Sequence, residues 1–257
     1  MTDLFEPSRA KAPANAAGRL LAVLDAFGPG SVSLSLSDIA RRSGLSLSTA
    51  HRLVRELAEW GALERDAAGR YTIGVRLLEL AALAPRGLAL REAAFPALDE
   101  LHHRTRGNVH LGVLDGTKVV YVEAIRACAT RPTQGRAGDR LPVHASGIGL
   151  VLLAHSSPDF QERVLAGPLE KLTPLTVTDP GELRRRLAQA RRDGYAVATG
   201  QITLPDIVVA APVRDPCGDV VAAVSVVLET ARARPRVLAR MLAGASAEIT
   251  RRMRSAA

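Results

Sequence analysis

Between Ser35 and Glu59 the chain carries two short helical patterns separated by a single glycine turn, and this arrangement restricts its N-terminal third to very few folds. Ser35 and Asp38 have the spacing of a capping box, in which a hydroxyl and a carboxylate each satisfy an orphan backbone donor at a helix start. Leu36, Ile39 and Ala40 follow at core-facing spacings. The run stops at Ser43-Gly44, where glycine can take the left-handed conformation that a sharp turn needs. After Leu45, Ser46 can cap a third helix running from Leu47 to about Glu59. Two short helices joined by such a turn form a helix-turn-helix. An earlier helical pattern, with Leu20, Leu21, Val23, Leu24 and Phe27, ends at Gly28-Pro29-Gly30 and supplies one more element.

The third helix divides by face. Ala50, Leu53, Val54 and Leu57 form a stripe predicted to be buried, with Trp60 at its end, while Ser48, His51, Arg52 and Arg55 share the other side at one-turn spacings. Hydroxyl, imidazole and guanidinium groups of that kind hydrogen-bond phosphates and base edges in a major groove, and Arg can grip guanine through two bonds. Ser46 and Thr49 at the start of the helix complete the candidate contacts. Directly afterwards, Ala62 to Arg65 and Arg70 to Ile73 read as two strands around an Asp66-to-Gly69 turn. A hairpin in this place is a wing, from which Arg65 and Arg70 could reach backbone phosphates. A lone Arg is more often a solvated surface residue. The order of capped helix, glycine turn, two-faced helix and basic hairpin carries the reading.

Composition bounds the rest. With 257 residues and 47% apolar content the chain can build one large domain or two modest ones. Aromatics are only 3%, so the core must come from Leu, Val, Ala and Ile. A net charge of +8 permits a polyanionic partner without locating it, because Arg184-Arg185-Arg186, Arg191-Arg192 and Arg251-Arg252 read as solvated helix faces elsewhere. No stretch approaches about 18 uninterrupted apolar residues, so no membrane span is expected. Residues 1–15 lack the hydrophobic run of a secretion signal and read as a disordered tail. Cys128 and Cys217 are far apart and without metal-ligand spacing, which argues against a disulfide or a zinc site and for the cytoplasm. No cofactor is implied. Nucleophile-elbow, HExxH, P-loop and dinucleotide-binding motifs are missing, so catalysis is not expected. His102-His103 reads as a solvated helix face, and Cys128 as a strand-edge packing residue.

From Asn108 onwards the pattern changes to strands. Val109 to Leu114 and Lys118 to Ile125 flank the turn Asp115-Gly116. Later strands are expected at Tyr195 to Thr199, Ile207 to Val213 and Val220 to Leu228. Helices are expected at Gly147 to Ala154, Pro180 to Asp193 and Pro235 to about Met253. Hairpins with helices at their flanks give an α+β domain around an antiparallel sheet. Between the halves, Val75 to Ala84 is an amphipathic helix with Leu77, Leu78, Leu80 and Leu83, and a second helix starts near Leu88 and ends before Gly107. Within LPVHASGIGLVLLAH a helix begins at Ser146-Gly147 after an extended stretch fixed by Pro142. The first turn of a helix offers unpaired N–H groups and partial positive charge to a carboxylate or phosphate, and Gly147 would let a ligand approach that backbone. A plain capped core helix is the alternative. His144 flanks this place, where a structural hydrogen bond competes with ligand contact.

The segment SLSDIARRSGLSLSTAHRLVRELAEWGALERDAAGRYTIGVRLLELA resembles the DNA-binding domain of the IclR family of bacterial transcription regulators, and the resemblance runs on through the second half. It implies a winged helix-turn-helix at 16–75, linker helices at 76–106 that help to pair subunits, and a GAF-like effector-binding domain at 107–257. HASGIG matches the family's effector loop, so the resemblance implies a small organic acid held by Ser146, Gly147 and Ile148. Leu141, Thr130 and Thr133, Ser225, Gln201 and Val208 would complete the pocket. The sequence departs from the family at several places. Leu47 and Leu150 stand where the family often has basic residues, Ala198 and Thr199 where it commonly has acidic ones, and Val208 at a usual cysteine. The far wall is thus less charged, which favours a monocarboxylate with a neutral or apolar tail. The expected partners are pseudo-palindromic double-stranded operator DNA, the acid effector, and a second copy in a homodimer or dimer of dimers. Effector binding would change the spacing of the DNA heads, with repression the expected sign. A DNA-binding dimer whose C-terminal domain only oligomerises stays open as the alternative.

Overall fold

The computed structural model describes residues 15–28, 31–84, 87–127 and 135–255, and the chain divides into two compact units between Ala84 and Pro85. The first unit holds α1 (Ala16–Asp25), α2 (Leu36–Ser43), α3 (Leu47–Trp60), β1 (Leu63–Arg65), β2 (Tyr71–Ile73) and α4 (Val75–Ala82). Its first three helices each start on a side-chain cap: Asn15 accepts from the N–H of Gly18, Ser35 from Asp38, and Ser46 from Thr49. At α2 the box is reciprocal, since the Asp38 carboxylate also accepts from the Ser35 backbone. The Ser35 hydroxyl bonds Asp38 Oδ2 at 2.7 Å, and with Arg41 beside it this holds the Asp38 carboxyl down at about 2. Gly44 ends α2 at a φ of 67°, a left-handed conformation that lets the chain turn sharply into α3.

Val23, Ile39, Leu53, Val54, Leu57 and Leu63 form the centre of this unit's core. In the hairpin, Leu63 lies opposite Ile73 and Arg65 opposite Tyr71, and Leu34 bridges Tyr71, tying the segment before α2 to the wing. Trp60 departs from the expected buried stripe: it is 50% exposed. Ala62 and Leu63 close the core at that end instead, and the indole lies beneath the Arg76 guanidinium, 5.6 Å from the ring centroid. Segment 1–14 of the tail expected at 1–15 falls outside the described residues, while Asn15 is the cap of α1.

The second unit holds α5 (Leu88–Thr105), β3 (Asn108–Asp115), β4 (Lys118–Ile125), β5 (Arg140–Pro142), α6 (Gly147–Ala154), α7 (Pro158–Ala166), α8 (Pro180–Asp193), β6 (Ala196–Thr199), β7 (Asp206–Arg214), β8 (Val220–Glu229) and α9 (Pro235–Ser255). The six strands form one antiparallel sheet in the order β5-β4-β3-β8-β7-β6. This is the α+β architecture read from the sequence. Because side chains alternate across a strand, Val109, Leu111, Val209 and Val224 join Leu98 of α5 and Leu242 of α9 in the main core. The other side of the sheet faces α6, all of whose residues are buried. Here β3 presents Asn108, His110 and Gly112.

The two linker helices expected at 76–106 are divided between the units. Leu77 of α4 packs on the helix-turn-helix core, and α5 packs on the sheet. Helix α7, strand β5 and the short 3-10 turn Thr230–Arg232 were not anticipated from the sequence. Helix α7 starts on a Ser157 cap with Pro158 in its first turn, and β5 is a short strand beside β4. Cys128, Thr130 and Thr133 lie outside the described residues.

Candidate functional site

In the first unit the chemistry is concentrated on α3. Ala50, Leu53, Val54 and Leu57 are buried, and this fixes the rotation of the helix, leaving Ser48, His51, Arg52 and Arg55 exposed on the other side. Neither arginine stands alone: Arg52 reaches Glu56 at 2.7 Å and Arg55 reaches Glu59 at 3.4 Å, each one turn along. Exposed pairs of this kind are weak and exchange readily for a stronger partner such as a phosphate. The hydroxyls at the helix start form a cluster, with Ser46 Oγ 3.2 Å from Ser48 Oγ and 2.9 Å from Thr49 Oγ1. Ser46 and Thr49 thus serve the cap. Leu47, at the first helical position, is 54% exposed.

The wing arginines differ from each other. Arg65 is exposed and lies over the Tyr71 ring, 5.7 Å from its centroid. The Arg70 guanidinium donates to Ser33, to its hydroxyl at 3.0 Å and to its carbonyl at 2.5 Å. Arg70 therefore fastens the wing to the segment before α2, and a phosphate would have to compete for it.

In the second unit, a cavity of about 50 Å³ lies on the α6 side of the sheet. Of the residues expected in the pocket, Leu141, Gln201 and Val208 line it, together with His110, Tyr121 and Ala145. Ser146 caps α6 by accepting from the Gly149 N–H at 2.9 Å, and Ile148 is buried against Gly112. Gly147 has a packing reason to lack a side chain: a Cβ there would lie 2.7 Å from Val208 Cγ1. Close helix-to-strand packing thus stands where ligand approach was expected. Gln201 is buried with its amide committed, the nitrogen donating to the Leu175 carbonyl at 2.6 Å and the oxygen accepting from the Val177 N–H at 2.9 Å. Leu150 is buried in α6.

The histidines sort by surroundings. His144 Nε2 lies 3.0 Å from the Glu170 carbonyl oxygen, a structural bond. His102, expected on a solvated face, is half-buried with Nδ1 2.8 Å from the Gly107 carbonyl, because α5 ends there against β3. His110 is the residue that sequence reading missed. It is buried, stacks on Tyr121 with ring centroids 4.6 Å apart, and lies directly across the ladder from Ser225. Burial, with the nearby charge of Arg126, pushes its imidazole down from 6.5 to about 4. Burial raises the Tyr121 phenol, and Asp139 adds to that. Among the described residues, His110 Nδ1 and Nε2, Ser225 Oγ and Asp139 Oδ1 are buried without a hydrogen-bond partner. The signal was present in the alternation of Asn108 and His110 with Val109 and Leu111, since a strand with one polar side facing a helix must spend that polarity on something.

Among the described residues no group of three His, Cys, Asp or Glu side chains is placed to hold a metal ion, and no helix is long and apolar enough to cross a membrane.

Comparison with known proteins agrees with both halves. Residues 16–67 match the IclR helix-turn-helix domain and residues 83–250 match the bacterial transcriptional regulator IclR C-terminal model. The chain is 35% identical to the HTH-type transcriptional regulator XynR of Escherichia coli (strain K12), covering 83% of this chain and 86% of that one. It is similar in structure to an IclR homolog complexed with 4-hydroxybenzoate from Microbacterium hydrocarbonoxydans, with a TM-score of 0.86 and 39% identity over 92% of this chain and 98% of that one. An IclR homolog from Microbacterium sp. strain HM58-2 matches with a TM-score of 0.62 and 38% identity over 93% and 98% of the two chains. A helix-turn-helix with a polar recognition face, followed by an α+β domain that both matches cover, makes this chain a member of the IclR family of DNA-binding transcription regulators rather than an enzyme.

Proposed function

We propose that this regulator binds a pseudo-palindromic operator as a homodimer or dimer of dimers, represses from it, and responds to a small organic acid held in its C-terminal unit. The observation that carries the DNA half is the exposed row of Ser48, His51, Arg52 and Arg55 on a helix whose other side is fully buried. Arg65 on the wing extends that surface for phosphate contact, and Arg70 braces it. Pairing two such helices places them in successive major grooves about 34–36 Å apart. The exposed Leu78 and Leu83 of α4 support pairing, since apolar side chains of that size favour a partner. A cytoplasmic location goes with this reading.

The effector half rests on the cavity on the α6 side of the sheet, which Leu141, Gln201 and Val208 line; in this reading Ser146, Gly147, Ile148 and Ser225, with Thr130 and Thr133, complete the site. A relative crystallised with 4-hydroxybenzoate supports an acid of that class. A second reading, in which the C-terminal unit only oligomerises, is favoured by the cavity's volume of about 50 Å³, well under the roughly 300 Å³ of small-ligand pockets. A gel shift on the duplex upstream of the protein's own gene, repeated against a panel of small acids, tests both. Acid-dependent change in the shift supports the sensor; a shift indifferent to every acid supports the oligomerisation module, and no shift at all removes the operator.

A further inference from the structure

His110 and Ser225 face each other directly across β3 and β8, on the side of the sheet that α6 covers. Directly opposed residues in such a ladder bring their Cβ atoms within about 5 Å. His110 is 2% exposed and Ser225 0%, yet both ring nitrogens and the serine hydroxyl lack a hydrogen-bond partner among the described residues, the ring having only the Gly135 backbone beside Nε2. Buried polar groups are nearly always satisfied, so the unpaired His110 ring on the cavity wall, with the Ser225 hydroxyl across the ladder from it, points to a bound group. The rest of the wall says what that group is. Leu141, Ala145, Ala198, Val208 and Val227 are apolar, and the described lining contains no Lys or Arg. A buried imidazole held neutral by its surroundings offers one donor and one acceptor, and the serine hydroxyl offers both.

We propose that His110, with Ser225 opposite it, reads an uncharged hydroxyl on the effector and selects hydroxylated acids over their plain counterparts. The inference rests on the C-terminal unit being an effector domain and adds which end of the ligand the sheet recognises. The Tyr121 ring stacked on His110 fixes the imidazole plane, and the Gly135 backbone closes its far edge, where a Cβ would come within 2.4 Å of Nε2. The imidazole is thereby pre-oriented, which a hydrogen-bond reader needs.

The test measures binding of 4-hydroxybenzoate and benzoate to the full chain by calorimetry. The wild type should bind the hydroxylated acid about tenfold tighter, the scale of one or two well-made neutral hydrogen bonds. In Ser225→Ala and His110→Phe the ratio of the two affinities should fall to about one, and a cooperative thermal unfolding transition shows that the variants are folded. In wild-type protein labelled with nitrogen-15 histidine, 4-hydroxybenzoate should move the His110 ring nitrogens and benzoate should leave them in place. Equal affinity of the two acids for the wild type, as expected if only water meets His110, overturns the inference, as does a preference that survives His110→Phe or unmoved ring nitrogens. If neither acid binds, the effector reading itself fails for this ligand class, and the inference falls with it.

Discussion

Gly147 at the start of α6 and Val208 on β7 pack so closely that a single added methyl group would sit 2.7 Å from Val208 Cγ1. The sequence HASGIG suggested a ligand-facing glycine; the contact shows that this glycine sets the distance between helix and sheet. Gly147→Ala should destabilise the protein by about 1–3 kcal/mol through overpacking, and adding Val208→Ala should restore a large part of that. Thermal unfolding of the two single variants and the double variant checks this. A Gly147→Ala protein with unchanged melting temperature would contradict it.

Arg52 and Glu56 on α3 form an exposed pair that DNA would have to open in the proposed binding mode. Arg52→Ala should weaken operator binding by at least tenfold, because it removes a contact and leaves Glu56 facing the phosphates; folding stability should change by less than about 0.5 kcal/mol, since the pair is exposed. Glu56→Gln should tighten binding, as it releases Arg52 and removes a negative charge. Fluorescence anisotropy on a selected duplex reads both, and a Glu56→Gln variant that binds more weakly would count against the groove-facing placement.

Arg65 and Arg70 should separate by salt dependence. Arg65→Ala should lower the slope of log affinity against log salt by about one, as for a lost phosphate contact. Arg70→Ala should instead lower the melting temperature, because it releases the wing from Ser33. The reverse assignment would show that Arg70 leaves Ser33 to bind DNA.

His110 couples stability to pH. Its folded imidazole titrates at about 4 against an ordinary 6.5, so between these values the unfolded chain binds the extra proton and the folded chain does not. Stability from this group is therefore complete above about pH 6.5 and is lost as pH falls toward 4, by about 3 kcal/mol in total. Urea titrations at pH 7.5 and 4.5 should show this loss in the wild type and a much smaller one in His110→Phe. Arg126, which acts on the ring, Tyr121, which stacks on it, and Asp139, which acts on Tyr121, remain in the variant, so they do not account for the difference. Equal losses in the two proteins would contradict the assignment.

The DNA-binding unit was readable in the sequence because its signals are local. Ser35, Asp38, Gly44 and Ser46 act within one helical turn of themselves, and each formed the cap or turn its chemistry requires. Trp60 was misplaced since its burial depends on Ala62 and Leu63 closing the core, which the spacing of a single helix cannot reveal. The strands of the second unit could be read from alternation, but their order and the pairing of His110 with Ser225 join residues over a hundred positions apart. For the same reason the engagement of Gln201 with Leu175 and Val177, and of Gly147 with Val208, came only from the fold.

Protection of guanine N7 from methylation tests the groove placement of α3 most directly, since N7 is exposed only in the major groove. On a duplex selected by the full chain from random sequence, the wild type should protect guanines in two patches about one helical turn apart, and saturating Arg52→Ala should lose part of that protection in both. Saturated binding with every guanine N7 still reactive, or protection identical in the variant, would contradict the account.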